Sequence, residues 1–167
     1  LAVAAQTYLG EQAYIAQRHI KAPSDKSEKG QPCSLFMLTI FPSGEGKDVC
    51  KSDASKISEK IESENMNRFY ADYKSWSKKK SDERGDAPVN PMSRFKKTTT
   101  QAIIRMMADG AGNSYIWATG EGGYLFSGYS LKSDTVGESI SVLNDLVDTG
   151  KGNALLRNAE DSHFFEN

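Results

Sequence analysis

Histidine and cysteine are nearly missing from this chain of 167 residues, which carries two of each. The histidines, His19 and His163, stand near opposite ends, and the cysteines lack the C-x-x-C spacing of redox and zinc motifs. That disfavours a four-ligand metal site, and neither metal nor cofactor is expected. No run approaches the roughly 20 apolar residues needed to span a bilayer. Internal repeats and low-complexity tracts are also lacking. With 38% hydrophobic and 26% charged residues, the chain is too apolar for wholesale disorder and too polar for a membrane bundle. It suits one domain, residues 1–167, with its own core.

Catalytic signatures are equally scarce. Nucleophilic catalysis needs a base beside a serine or cysteine. His19 falls at a helix end and His163 in the last five residues, so no catalytic residue stands out and the chain reads as a non-enzyme. The glycines of "GEGG" (120–123), with "ADGAG" upstream, invite a phosphate-loop reading. There a strand follows, and Lys132-Ser133 lies beyond it, so these glycines read as a turn.

The two cysteines that are present bracket "CSLFMLTIF" and the breaker "PSGEG", with Cys50 beyond. Nine residues so rich in apolar side chains predict a central strand at 33–41, buried on both faces. A disulfide from Cys33 to Cys50 would pin the next helix to that strand, at about 3 kcal/mol in the entropic picture. Such a bond points to an oxidising compartment, periplasmic or extracellular. Ala2-Val3-Ala4 has the small-x-small form of a signal-peptidase site, in keeping with a signal peptide or membrane anchor upstream.

Helical periodicity covers 2–20 (Ala4, Tyr8 and Ile15 with neighbours) and 53–77 (Ile57, Ile61, Met66, Phe69, Tyr70, Tyr73, Trp76), the latter capped by Ser52 or Asp53. A helix capped by Ser93 runs through Ala108 with Phe95, Ala102, Ile103 and Met106 inward. Another, capped by Ser133 or Asp134, carries Val136, Ile140, Leu143 and Val147 and stops at Gly150. Residues 113–131 read as an aromatic-rich β-hairpin about "GEGG". Leu155, Leu156, Phe164 and Phe165 of the tail should tuck against the body. The expected fold is α+β, in the order α-β-α-α-β-β-α. Its small three-stranded sheet, antiparallel or mixed, is covered by four helices. Residues 78–91, charged and containing two prolines, read as a mobile linker.

The net charge of −1 conceals an asymmetry: residues 51–109 sum to +4 and residues 110–167 to −5. Lys78, Lys79, Lys80, Lys96 and Lys97 form a patch for an anionic partner, beside Tyr70, Tyr73, Trp76 and Phe95. Lysines among rings also mark nucleic-acid sites. Ring spacing typical of a core stripe, together with export, argues against that use. In the hairpin, Tyr115 and Trp117 share a face, with Tyr124 and Phe126 on the paired strand. These four are the candidate hot spot for a protein partner. The leading expectation is thus an exported, non-enzymatic protein-binding domain, such as an envelope secretion or pilus accessory subunit or a toxin inhibitor or immunity factor. Alternatives are the ectodomain of an anchored pilin-like or sensor protein, a small hydrolase, and a basic nucleic-acid-binding module.

Overall fold

The computed structural model describes residues 2–25, 27–110, 112, 114–122, 136–154 and 163–166. Four helices dominate: α1 (Ala2–Ala16), α2 (Lys47–Ser77), α3 (Thr100–Asp109) and α4 (Val136–Thr149). The strands are short and form three separate pairs. β1 (Lys21–Ala22) meets β2 (Gln31–Pro32) antiparallel, and β3 (Arg94–Phe95) meets β4 (Ile116–Trp117) parallel. β5 (Lys151–Ala154) meets β6 (His163–Glu166) antiparallel. The mixed α+β class stands, but among the described residues the expected three-stranded sheet is replaced by three two-stranded ribbons.

The interior between α1 and α2 is polar. Arg94 sends both terminal nitrogens to Glu11, Nη1 to Oε1 at 2.8 Å and Nη2 to Oε2 at 2.7 Å. Nη2 also donates to Ser58 Oγ at 2.8 Å, and Ser58 donates to Glu11 Oε2 at 2.8 Å. On the other side Glu62 Oε1 accepts the backbone N–H of Ser93 and of Arg94, each at 3.0 Å. Glu62 Oε2 and Arg94 Nε form no hydrogen bond but lie 3.7 Å apart, an ion pair. The guanidinium lies 5.4 Å from the centre of the Tyr14 ring. The Tyr14 hydroxyl shares a hydrogen with Ser93 Oγ, and Arg18 donates to both oxygens. Ser114 donates to the Tyr14 carbonyl. Burial alone would lower the Arg94 pKa, but the Glu11 hydrogen bond and charge raise it overall. With only 6% of its side chain exposed, Arg94 stays a cation held by two carboxylates.

This network explains why the expected helix faces are wrong. In α1 the buried residues are Val3, Glu11 and Tyr14, while Tyr8, Leu9 and Ile15 are exposed. In α2 Ser55 is buried, and Ser58 and Glu62, three and seven residues on, are half-buried, as are Met66, Phe69 and Trp76 of the expected stripe. Ile57, expected inward, is 75% exposed, and Ile61 is exposed too. α2 also begins six residues earlier than expected, at Lys47. Its N-cap is Gly46 at φ 86°, left-handed backbone that suits glycine, and not Ser52 or Asp53.

The apolar run 33–41 is no central strand. It follows β2 without regular structure, and Leu35, Phe36, Leu38 and Ile40 are exposed, because no neighbouring strand takes up its backbone. Nor is there a disulfide. Cys33, with its thiol 3.8 Å from the Ile20 carbonyl, and Cys50, in the first turn of α2, are both free. The segment between them runs beside α1 instead of folding back on itself, with Met37 against Gly10 and Thr39 donating to Gln6.

Ser93 does not cap a helix. It is buried at Tyr14, and α3 starts seven residues later, with Thr99 Oγ1 accepting from the Ala102 N–H. Ile103 and Ile104 are buried and Ala102 is exposed. Of the expected hairpin only Ile116–Trp117 is described as strand, β4, and it pairs in parallel with β3; the second hairpin strand, like Leu155 and Leu156, lies outside the described residues. α4 ends at Gly150, φ 71°, as its sequence indicates.

Two measurements check this fold. Titration of unreduced, denatured protein should find two thiols per chain. Arg94→Met, which strands two buried carboxylates, should cost about 3–5 kcal/mol in urea unfolding. Ile57→Ala should change stability by less than about 0.5 kcal/mol; comparable losses from both would refute the polar interior.

Candidate functional site

A cavity of about 690 Å³ lies between α1, the head of α2, β4 and α4. Its body is apolar: Val3, Met37, Phe95, Ile103, Trp117 and Leu143 are among its walls. One end is different. There Lys47, Asp48 and Lys51 of the first turns of α2 meet Thr119 and Gly120 of the loop after β4. The approach is close: a Cβ built on Gly120 would lie 3.1 Å from Asp48 Oδ1 and 3.8 Å from Lys51 Nζ. The half-buried Lys51 ammonium is pushed below its ordinary pKa, by burial first and then by Lys96. An anion at this end would reverse that effect by favouring the charged amine.

Local sequence explains why the head of α2 is receptive. The stretch "PSGEGKD" (42–48) enters the helix through Gly44 at φ 83° and Gly46 at φ 86°, beside which a Cβ would meet nothing within 4 Å. No side-chain hydrogen bond caps this 31-residue helix at Gly46; the N–H groups of Val49 and Cys50 go to the Gly46 carbonyl, which leaves those of Lys47 and Asp48 at its positive end. Lys47 is the first helical residue, and its amine lies 3.9 Å from Asp48 Oδ2. S-G-x-G-K ahead of a helix N-terminus is part of a phosphate-binding loop, but the strand that precedes such a loop is missing here, since 33–41 has no regular structure. Two positions depart from the full G-x-x-x-x-G-K-[ST] pattern: Phe41 stands for the first glycine and Asp48 for the hydroxyl residue. Sequence reasoning tested the glycines at 120–123 for this role and took 42–46 for a breaker. The signal was the lysine after Gly46, directly ahead of a long helix.

The sequence-derived site residues are dispersed. Tyr115 is half-buried, stacked on Phe95 at 6.0 Å, and donates to the Gly112 carbonyl at 2.6 Å; burial raises its hydroxyl pKa. Trp117 is half-buried and lines the cavity. Tyr124 and Phe126 lie outside the described residues. Lys78, Lys79 and Lys80 follow the C-terminal end of α2, whereas Lys96 and Lys97 follow β3 and belong to a different part of the surface. His19 lies in the turn after α1 and His163 in β6. Among the described residues no group of three or more His, Cys, Asp or Glu side chains forms a metal site, and no helix is long and apolar enough to cross a membrane.

Comparison with protein-family models, curated proteins and solved structures finds no match to this chain.

Proposed function

We propose that the chain binds a phosphorylated small molecule, a nucleoside phosphate carried with a divalent cation, in the cavity at the head of α2. The observation that carries this reading is the polarity of the cavity. A mostly apolar chamber with Trp117 in its wall ends at a helix N-terminus bearing Lys47 and Lys51. Such a shape suits a ligand with a flat apolar body and an anionic tail. The N–H groups of the first turn and the two amines would take phosphate oxygens. The Asp48 carboxylate would repel a bare phosphate but suits the cation that accompanies it, an oxygen ligand for a hard metal ion. Its neighbour Thr119 adds a hydroxyl on the facing loop.

A partner protein is the second reading, and one observation favours it. Leu35, Phe36, Leu38 and Ile40 stand exposed in a stretch without strand pairing, Ile40 at 91%. Extended apolar segments of this kind dock by strand addition. With both cysteines free, no disulfide supports the exported setting, periplasmic or extracellular.

The first reading is checked by titrating Mg-ATP and Mg-GTP into the protein while following tryptophan fluorescence and heat. Binding should be saturable and should require magnesium. Lys47→Ala should weaken it tenfold or more, while Lys60→Ala, on exposed α2 surface, should leave it unchanged. No binding at millimolar nucleotide, or equal binding by the Lys47 variant, would overturn the proposal. The second reading is checked by Ile40→Glu, which should abolish capture of a partner and leave nucleotide affinity as it was.

A further inference from the structure

We infer that the C-terminal half of α2 is a contact surface for single-stranded nucleic acid. The rings that share a helical stripe with Ile57 and Ile61 do not enter a core. Tyr70 is 60% exposed and Tyr73 46%, on a half-helix where Phe69 and Trp76 are only partly covered. They form a ladder of neighbours, Phe69 to Tyr73 at 5.8 Å and Tyr73 to Trp76 at 5.5 Å between ring centres. Both reasons for setting nucleic acid aside thus weaken: the rings at Tyr70 and Tyr73 are exposed, and the export argument loses its disulfide.

Charge continues the ladder. Lys74 follows Tyr70 by four residues and Lys78 follows Lys74 by four, which keeps them on one row of the helix. Lys79 and Lys80 come directly after, and all four lysines are exposed, with no ion pair to a described carboxylate. Residues 68–84 hold six basic side chains against Asp72, Asp82 and Glu83, a net of +3.

The expected linker holds this arrangement in place. Arg84 donates from Nε to the Lys79 carbonyl and from Nη2 to the Ser77 carbonyl, each at 2.8 Å, and lies 5.0 Å from the centre of the Trp76 ring. Trp76 in turn donates to the Gly85 carbonyl at 2.8 Å. Arg84 and Trp76 are therefore positioning residues. Tyr70 and Tyr73 remain open as stacking platforms, and Lys74 and Lys78 to Lys80 remain open for phosphates. Rings plus unpaired cations along one strip are what a sequence-tolerant single-strand site requires.

The test is fluorescence anisotropy with a labelled oligo-dT of about 20 nucleotides, at about 50 and 200 mM salt. Binding should weaken steeply with salt. Lys78→Ala with Lys79→Ala and Lys80→Ala should lower the salt slope by about 2, at roughly 0.7 per phosphate contact. Tyr70→Ala with Tyr73→Ala should weaken binding tenfold or more and leave the slope as it was. These residues are exposed, so both variants should keep the wild-type circular dichroism. No binding at low salt would overturn the inference. So would binding that ignores the tyrosines, since that is bare charge attraction, or a dimer in sedimentation that the tyrosine variant dissociates, since the ladder is then a subunit interface. Mg-ATP titration of the tyrosine variant separates this outcome from the fate of the α2 cavity.

Discussion

One guanidinium sets the geometry of this protein. The Arg94 fork takes both oxygens of Glu11 in parallel, which fixes α1 in rotation as well as in distance. Glu62 holds the backbone on either side of the Ser93–Arg94 peptide, which fixes β3 against α2. β3 then carries β4 through the Ile116 N–H to the Ser93 carbonyl and the Ala118 N–H to the Phe95 carbonyl, both at 2.9 Å. β4 brings Trp117 to the cavity wall and sets the 119–122 loop on the first turns of α2. The cavity is therefore a consequence of a charge network formed tens of residues away in sequence. Buried ion pairs of this kind add little net stability but are costly to break, so they act more on arrangement than on free energy.

Much of the element plan was legible in the sequence, because periodicity and breakers act locally. α1, the C-terminal half of α2, α4 and the stop at Gly150 all follow from them. The faces of α1 and of the N-terminal half of α2 were not legible, unlike Ile103 of α3 and Leu143 and Val147 of α4, which are covered as expected. Hydrophobic periodicity assumes an apolar inner stripe, and here Ser55, Ser58 and Glu62 point inward while Ile57 and Ile61 point out. The partner that reverses the pattern, Arg94, is 83 residues from Glu11, beyond any local window. The apolar run at 33–41 misled for a related reason. Apolar density signals burial only when a neighbouring element completes it, and none does so for Ile40.

The candidate site was half legible. Trp117 was singled out as a hot spot for a protein partner, and it is half-buried in a cavity wall. The glycines at 44 and 46 were seen as a turn, and their positive φ values fit that reading. What distinguishes a turn from an anion cradle is the length and direction of the following helix, and placing its start at residue 53 instead of Lys47 removed that clue.

α2 links the two proposed surfaces, and its length bears on how they act together. At 31 residues it spans about 46 Å, with Lys47 at its head and Lys78 at its foot. The head is the positive end of the helix dipole, which suits phosphates. The foot is the negative end, where Lys74 and the Arg84 clamp on the Ser77 and Lys79 carbonyls offset it. Coupling between sites so far apart requires an element with two arrangements whose balance both ligands shift. α2 is a continuous helix gripped at Ser58 and Glu62 by Arg94, so occupancy at one end finds nothing to move at the other. The two surfaces should bind independently in this arrangement. Any linkage between them must run through release of the Arg94 clamp, where one side chain of β3 holds both α1 and α2.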